Sequence, residues 1–310
     1  MLPNFLIVGT AKAGTRSLVE GLKQHPAVAM AARKEPHYFA RGAISQPYTG
    51  PGDLSRAFRD RGGPALVLER PGYESLFTAV RSEAAVGEAS VFYLYDHEAA
   101  VPAIQADLGD PKIVMILRDP VRRAYSAYQH LRGDGREELG FYEALEHEEE
   151  RRRAGYAPLW YYRNLGYYSA QVEHFLDAFT HVLILWYEDL QRDTGAVVRQ
   201  VYRFLEVDSA FAPRGLGIRY NATGAPVNRS LYRFVVEPNG VKNAVKPVVD
   251  AVLPLSVQRL WHAQVAQWMV RPGRPPDPRA VALLRDAYAA DIGRVARLTG
   301  RNLSPWLTRT

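Results

Sequence analysis

The chain has 310 residues, 47% of them hydrophobic, and a formal net charge of +6 with an isoelectric point near 9.4, so it can form one large domain and suits an anionic ligand. It has no cysteine, which excludes disulfides, thiolate metal sites and a cysteine nucleophile. No apolar run is long enough to span a membrane, and no signal peptide precedes the first apolar run, so we expect a cytoplasmic protein. Because the arginines are spread along the chain, we expect no nucleic-acid partner.

The first predicted elements are a buried strand over residues 5–8 and a helix from Thr15 to His25. The loop at residues 9–16, which overlaps the start of that helix, has two glycines, one lysine and two threonines. A strand that turns through small residues into a helix directs free N–H groups and the positive end of the helix dipole at one point, which suits a phosphate or sulfate. Lys12 is therefore the first candidate binding residue.

The spacing of this loop differs from the G-x-x-x-x-G-K-[ST] loop of nucleotide triphosphatases. Thr15 stands where a lysine would follow Gly14, and Lys12 comes two residues before that glycine. The alternative interpretation is a strand-to-helix turn that needs glycine for its backbone, with Lys12 in solvent.

After a short strand predicted at residues 28–31, Glu35 and His37 lie two residues apart among aromatic residues. They can form an acid/base pair, and we expect burial to raise the pKa of Glu35. The alternative is a surface carboxylate beside a packed aromatic cluster. Helices are predicted at residues 54–60 and 73–81, and a strand at residues 85–87.

Another strand, predicted at residues 112–117, is followed by Arg118, Asp119 and Pro120, and a helix is predicted at residues 121–131. Asp before Pro is a typical helix start. Arg118, with Ser126 two turns further on, can bind a second phosphate, because a guanidinium matches phosphate geometry. This second segment favours the anion-binding interpretation of the Lys12 loop.

The remaining elements complete an α/β pattern. The sequence predicts one charged, solvated helix across residues 140–153, a strand at 181–186, a helix at 194–205 and helices within 245–298, with Trp306 buried. Strands that alternate with helices indicate a parallel sheet with helices on both faces and ligands at the carboxyl ends of the strands. No linker divides the chain, so we expect a single domain over residues 1–310.

Together, the segments GTAKAGTRSL and ILRDPVRRAYSAY resemble the 5′-phosphosulfate loop and the 3′-phosphate motif of sulfotransferases that use 3′-phosphoadenosine 5′-phosphosulfate (PAPS). The likeness is closest to the heparan sulfate branch and its bacterial relatives, and it runs over residues 4–205 and more loosely over 221–229. It implies a P-loop-like three-layer fold with a central parallel sheet flanked by helices, and sulfuryl transfer from PAPS, without a metal, to a carbohydrate or small-molecule acceptor. In animal relatives a membrane anchor precedes the first strand. Because none precedes it here, we expect a bacterial protein.

The resemblance also implies roles for individual residues. Lys12 would stabilise the charge that develops in the reaction, Glu35 would be the general base, and His37 would support it. The expected donor-binding residues, including two in a lid after the last conserved helix, are Lys12, Ala13, Gly14, Thr15, Arg16, Ser17, Arg118, Ser126, Gly224 and Arg229.

Four residues are candidates for contacting the acceptor. Glu88 and Ser90 fall in a motif where the heparan enzymes usually have a lysine, here replaced by Ala89, so a sulfated sugar would not be recognised in the same way. Arg163 and Tyr167 lie in the aromatic stretch at residues 156–168. Aromatic side chains there can stack on a sugar ring or belong to the core.

Two other functions are open at this point. A phosphate-loop kinase or hydrolase would share the first strand and the glycines after it. It should also have a lysine after Gly14 and an acidic residue at the end of the strand at residues 112–117. A non-catalytic anion-binding module would need the loop but not Glu35. The oligomeric state cannot be read from the sequence.

Overall fold

The computed structural model describes residues 2–43, 48–51, 66–215, 224–226, 270–272 and 275–308. Its strands are β1 Phe5–Gly9, β2 Val28–Met30, β3 Ala85–Ala89, β4 Lys112–Leu117, β5 Val182–Trp186, β6 Gly224–Pro226 and β7 Val270–Pro272. The helix predicted at 54–60, most of the region 245–298 and Arg229 lie outside the described residues.

The first five strands form one sheet with the order β2-β3-β1-β4-β5, and every neighbouring pair in it is parallel. β1 is central and fully buried, which agrees with its uninterrupted apolar sequence. The parallel sheet expected from the sequence is therefore confirmed.

Helices cover both faces of this sheet. The described helices are α1 Thr15–Leu22, α2 Arg70–Glu74, α3 His97–Leu108, α4 Pro120–Gly133, α5 Phe141–Glu146, α6 Glu148–Arg153, α7 Ser169–Ala178, α8 Tyr187–Arg192, α9 Thr194–Phe204, α10 Pro278–Thr299 and α11 Ser304–Thr308. Apolar residues of α1 and α9 form one core with the sheet, and those of α3, α4, α7 and α10 form the other. The result is a three-layer α/β arrangement, with Trp306 buried as expected.

Two predicted helices are corrected. The helix expected at 73–81 begins earlier, as α2, and ends in a 3-10 turn at Ser75–Phe77. The single solvated helix expected at 140–153 is two helices, α5 and α6, joined at His147.

The second correction has a physical reason. Glu148, at the start of α6, is buried, and its carboxylate accepts hydrogen bonds from the backbone N–H groups of Arg163 and Asn164 at 2.6 and 2.8 Å. Arg151 is also buried and pairs with Glu137 at 2.7 Å. These contacts join residues far apart in the chain, so local charge spacing could not predict them.

β6 and β7 pair antiparallel, with Gly224 opposite Pro272. β6 packs against α4, the helix that follows β4. Among the described helices, none is both long enough and apolar enough to cross a membrane.

The turn between β1 and α1 depends on glycine at position 14. Gly14 precedes the first residue of α1 with φ +85°, in the left-handed region. A Cβ on Gly14 would lie 2.8 Å from Leu190 Cδ2 and 3.1 Å from the Tyr187 ring. The turn therefore needs both the conformational freedom of glycine and its lack of a side chain.

We expect Gly14→Ala to lower the free energy of unfolding by about 2 to 4 kcal/mol, because it adds left-handed strain to crowding. Gly300→Ala is the matched control: Gly300 has φ +66°, and nothing lies within 4 Å of an added Cβ. That variant should lose only about 1 to 2 kcal/mol from strain. Urea denaturation measures both, and equal losses would show that the contacts with Leu190 and Tyr187 do not matter.

Candidate active site

The candidate site lies at the edge of the sheet where the five parallel strands end. The segments that follow those ends carry Lys12 after β1, Glu35 after β2, Ser90 after β3, Arg118 after β4 and Tyr187 after β5. Ligands bind at this edge in open α/β sheets. The topology thus brings most of the candidate residues to one side of the molecule.

The loop after β1 forms a short, tight turn. Lys12 has φ +69° and Gly14 has φ +85°, while Ala13 between them is fully buried. α1 then begins at Thr15 with no acidic residue in its first turn. Because the first N–H groups of a helix have no partner inside it, they remain available to an anion here.

The first turn of α1 differs in exposure from residue to residue. Thr15 is 5% exposed, Ser17 is half-buried and Arg16 is exposed. Arg16 is close enough to Glu35 to lower the pKa of that carboxyl. The structure therefore places residues 12–17, all predicted to bind the donor, on one continuous turn.

Arg118 joins the end of β4 to this turn. Its Nη1 donates to the carbonyl oxygen of Lys12 at 2.6 Å, and its guanidinium lies 4.3 Å from the centroid of the Tyr187 ring. Burial and the charge of Arg118 lower the pKa of Lys12 to about 8. Because these two cations repel each other, binding of an anion between or beside them is favourable.

An unpartnered donor supports the same conclusion. Nε of Arg118 is buried and has no hydrogen-bond partner in the described part of the chain. A buried N–H without an acceptor is costly and uncommon in folded proteins. A phosphate oxygen is the acceptor that a guanidinium best suits, so the residues present fit the phosphates of the expected donor.

α4 carries the other residue predicted to bind phosphate. The Asp119 carboxylate caps the helix by accepting from the backbone N–H groups of Val121 and Arg122, as the sequence predicted. Ser126 lies six residues after Pro120 and is 5% exposed. Gly224, in β6, belongs to the strand that packs against the same helix, while Arg229 lies outside the described residues.

Glu35 is connected to the donor turn by its neighbour Lys34. Nζ of Lys34 lies 2.7 Å from Oε1 of Glu35 and also donates to Oγ1 of Thr15 at 3.2 Å. Nε2 of His37 lies 4.0 Å from the other carboxylate oxygen, Oε2. The candidate base and the candidate donor turn are thus linked by a single lysine.

The expectation that the pKa of Glu35 lies above its usual value is wrong. Burial does act in that direction, but the ion pair and hydrogen bond with Lys34, together with His37 and Arg16, bring the pKa below its usual value. Burial also lowers the pKa of His37 to about 4. At neutral pH the pair is therefore a carboxylate beside an uncharged imidazole.

Glu88 and Ser90 lie beneath this pair and are both fully buried. Oγ of Ser90 accepts from the backbone N–H of His37 at 3.1 Å. The Tyr93 hydroxyl donates to Oε2 of Glu88 at 2.8 Å, and burial raises the pKa of Glu88 to about 8. In the described contacts these residues support the Glu35 segment, and contact with an acceptor stays a prediction.

The contacts of Arg163 and Tyr167 include residues of α6 and α10. The carbonyl of Arg163 accepts from the Tyr288 hydroxyl at 2.7 Å, and its N–H donates to Glu148. The Tyr167 ring lies 5.1 Å from the ring of Tyr288. Their predicted role in acceptor binding also stays a prediction.

Sequence reasoning missed two residues of the site, Lys34 and Tyr187. Adjacent residues of an extended segment normally point to opposite sides, so Lys34 was not expected to pair with Glu35. The positive φ of Glu35, +59°, turns the chain there, and no local pattern signals it. Tyr187 follows directly after a predicted strand, and that position was an available signal.

Comparison with known proteins gives consistent matches. The sulfotransferase family model matches residues 3–212. A sulfotransferase from Alicyclobacillus acidocaldarius, known from its crystal structure, is 34% identical, with a TM-score of 0.75 and 99% of each chain covered.

Two longer proteins match in part. Heparan sulfate glucosamine 3-O-sulfotransferase 3B1 of Homo sapiens is 30% identical over 208 residues, which are 66% of this chain and 46% of that protein. Membrane-associated sulfotransferase kil1 of Dictyostelium discoideum is 31% identical over 127 residues, which are 41% of this chain and 22% of that protein. The chain thus spans less than half the length of these two relatives. The family model, which covers most of the chain, and the solved relative of matching length establish that the chain belongs to the sulfotransferase family.

Proposed function

We propose that the protein transfers the sulfuryl group of PAPS to a hydroxyl, with an amine as second choice, on a carbohydrate or small-molecule acceptor. The observation that carries the proposal is the contact of Arg118 with the carbonyl of Lys12, together with the buried Nε of Arg118, which has no hydrogen-bond acceptor among the described residues. Family membership supports the choice of donor.

The donor would be held at both of its phosphorylated ends. Lys12, the N–H groups of residues 13–17 and the hydroxyls of Thr15 and Ser17 suit the 5′-phosphosulfate. Because Thr15 accepts from Lys34, its own O–H hydrogen is available to donate to the ligand. Arg118 and Ser126 suit the 3′-phosphate, and the backbone at Gly224, with Arg229, would complete the lid.

When bound, the donor supplies a sulfuryl group, which forms a bond to the acceptor oxygen as its bond to the bridging phosphate oxygen breaks. The ammonium of Lys12 and the N–H groups of α1 stabilise negative charge on the leaving phosphate. Glu35 accepts the proton that the acceptor hydroxyl releases. As in phosphoryl transfer, most of the catalysis then comes from positioning and charge stabilisation.

The state of Glu35 and His37 supports these roles. A carboxylate with a lowered pKa is already ionised at neutral pH and can accept a proton without first losing one. An uncharged His37 adds no positive charge that would draw that carboxylate away from the acceptor. Hydrogen bonds from Glu35 N–H to the Ala89 carbonyl at 2.8 Å and from His37 N–H to Ser90 fix the segment on β3.

The acceptor class is supported by the relatives. One of the relatives named above is heparan sulfate glucosamine 3-O-sulfotransferase 3B1, and a further match, 26% identical over 46% of this chain, is carbohydrate sulfotransferase 15 of Mus musculus. Their activities belong to proteins much longer than this chain, so a carbohydrate acceptor is a proposal here. Screening glycosides and phenols with labelled donor, and detecting a product heavier by one sulfuryl group, tests it directly.

We expect Lys12→Ala and Arg118→Ala each to weaken binding of the donor product, 3′-phosphoadenosine 5′-phosphate (PAP), at least about tenfold, because each loses a charged hydrogen bond to phosphate. Glu35→Gln should bind PAP normally but lower turnover by about 10²- to 10⁴-fold, because it removes the base. Calorimetry and product mass spectrometry measure the two effects separately.

The matched control for the lysine is Lys23→Ala, which removes an exposed ammonium paired with Glu20 and should change neither quantity. Normal turnover in Glu35→Gln would remove Glu35 as the base. Stabilisation by ATP equal to that by PAP, in a thermal-shift assay, would favour the kinase alternative instead.

PAP binding should depend on pH through Lys12. Because the pKa of Lys12 in the free protein is about 8, the ammonium loses its proton above that pH, whereas a bound phosphate needs it charged. Binding should therefore take up a proton above pH 8, and the dissociation constant should rise by up to about tenfold per pH unit. Calorimetry in two buffers of different ionisation enthalpy counts the proton.

Lys12→Arg keeps the charge at every accessible pH and should bind PAP with little pH dependence in the same range. If the wild-type protein takes up no proton at pH 9, Lys12 is not the group that meets the anion.

The pH dependence of turnover should report the pairing of Glu35 with Lys34. Lys34→Met removes the opposite charge at 2.7 Å, so the pKa of Glu35 should rise. The acidic limb of kcat/KM for the acceptor should then move to higher pH by about 1 to 2 pH units. Lys34→Arg, which keeps the charge, should leave the limb in place. An unmoved limb in Lys34→Met would mean that another group controls it.

A further inference from the structure

The structure also contains a cavity whose lining includes none of the residues assigned to donor binding. This cavity of about 360 Å³ opens beside α3 and α6, and its wall includes Tyr48, Tyr95, Asp96, Arg152 and Tyr161. This volume falls within the range of small-molecule sites. Its wall combines three tyrosine rings with four charged side chains, so it can contact both an apolar face and the polar groups of a ligand.

The cavity lies a short way along the chain from the candidate base. Asp96 follows Ser90 by six residues, and Ala43, which also lines the cavity, follows His37 by six. Six residues span at most about 22 Å when fully extended. The real paths are shorter, because residues 38–40 form a 3-10 turn and Asp96 N–H bonds back to the Phe92 carbonyl. The cavity wall at Ala43 therefore lies no more than about 22 Å from His37, a separation within the length of an oligosaccharide.

The Asp96 carboxylate gives the cavity a hydrogen-bond acceptor. It caps no N–H group of α3, although it stands at the start of that helix. The hydroxyl of Tyr95 donates to Oδ1 of Asn164 at 2.5 Å, and that of Tyr161 donates to the Tyr156 carbonyl. The hydroxyl groups of Tyr95 and Tyr161 therefore do not donate to Asp96. Burial raises the pKa of Asp96 to about 7, as expected for a carboxyl removed from water.

The charges around the cavity balance. Arg152 Nη1 and Arg153 Nε both bind the carboxylate of Glu149, at 2.8 and 3.2 Å. Above pH 7, where Asp96 is mostly ionised, the wall carries two positive and two negative side chains. A wall of this kind has no excess positive charge to attract a sulfated or carboxylated sugar. It suits an uncharged ring with hydroxyl donors and an apolar face.

We propose that this cavity binds an uncharged glycosyl unit of the acceptor, with Asp96 accepting hydrogen bonds from its hydroxyls and the tyrosine rings contacting its apolar face. The proposal rests on the proposed sulfotransferase function, and it narrows the acceptor to one that carries a neutral sugar in addition to the group that is sulfated.

The test is saturation-transfer NMR on the full chain in the presence of PAP, with the methyl glycosides of glucose, galactose and mannose as probes and glucosamine 6-sulfate as the charged comparison. At least one methyl glycoside should bind the wild-type protein more tightly than the sulfated sugar. Asp96→Ala should weaken that binding about ten- to a hundredfold, because a hydrogen bond to a charged group is lost.

Two further variants keep the test decisive. Ala43→Trp fills the cavity from an exposed position, so it should fold normally and abolish glycoside binding even if Asp96→Ala is unstable. Glu98→Gln removes an exposed carboxylate from the first turn of α3 and should bind the glycoside as the wild type does.

The proposal is overturned if no methyl glycoside binds, if the sulfated sugar binds more tightly, or if glycoside binding survives Ala43→Trp. A thermal shift with PAP is recorded for every variant. Failure of the wild-type protein to respond to PAP would contradict the proposed function, whereas a normal PAP shift without glycoside binding would contradict only this inference.

Discussion

The hydrogen bond from Arg118 to the Lys12 carbonyl is the contact on which the candidate site depends. It joins the ends of two neighbouring strands, β1 and β4, and fixes the turn that starts α1. It also brings two cations together, and burial and the charge of Arg118 lower the pKa of Lys12. An anion bound beside both cations would offset their repulsion, as the proposed function requires.

The other side of the site is built from strands β2 and β3. Glu35 follows β2, and its backbone is held by the Ala89 carbonyl at the end of β3. Below it, Ser90 holds His37, and Tyr93 connects Glu88 to the backbone N–H of Phe39. The candidate base therefore stands on a buried polar layer, which fixes its position more firmly than a surface loop would.

The sequence was sufficient to predict the parallel sheet, the glycine-containing turn before α1 and the capped helix after β4, because each depends on local periodicity or on a short motif. It was not sufficient for contacts made across the chain. Glu148 was assigned to a solvated face, yet it is buried against backbone N–H groups fifteen and sixteen residues away. The pKa of Glu35 was expected to rise, but the backbone turn at Glu35 that sets the lysine against it left no mark in the sequence pattern.

Lys34 has one ammonium and two neighbours, the hydroxyl of Thr15 and the carboxylate of Glu35. Those neighbours compete for a single charge. An anion bound over the start of α1 would attract the ammonium and weaken its interaction with the carboxylate, whose affinity for a proton would then increase. In the proposed reaction, Glu35 would therefore be a stronger base once the donor is bound.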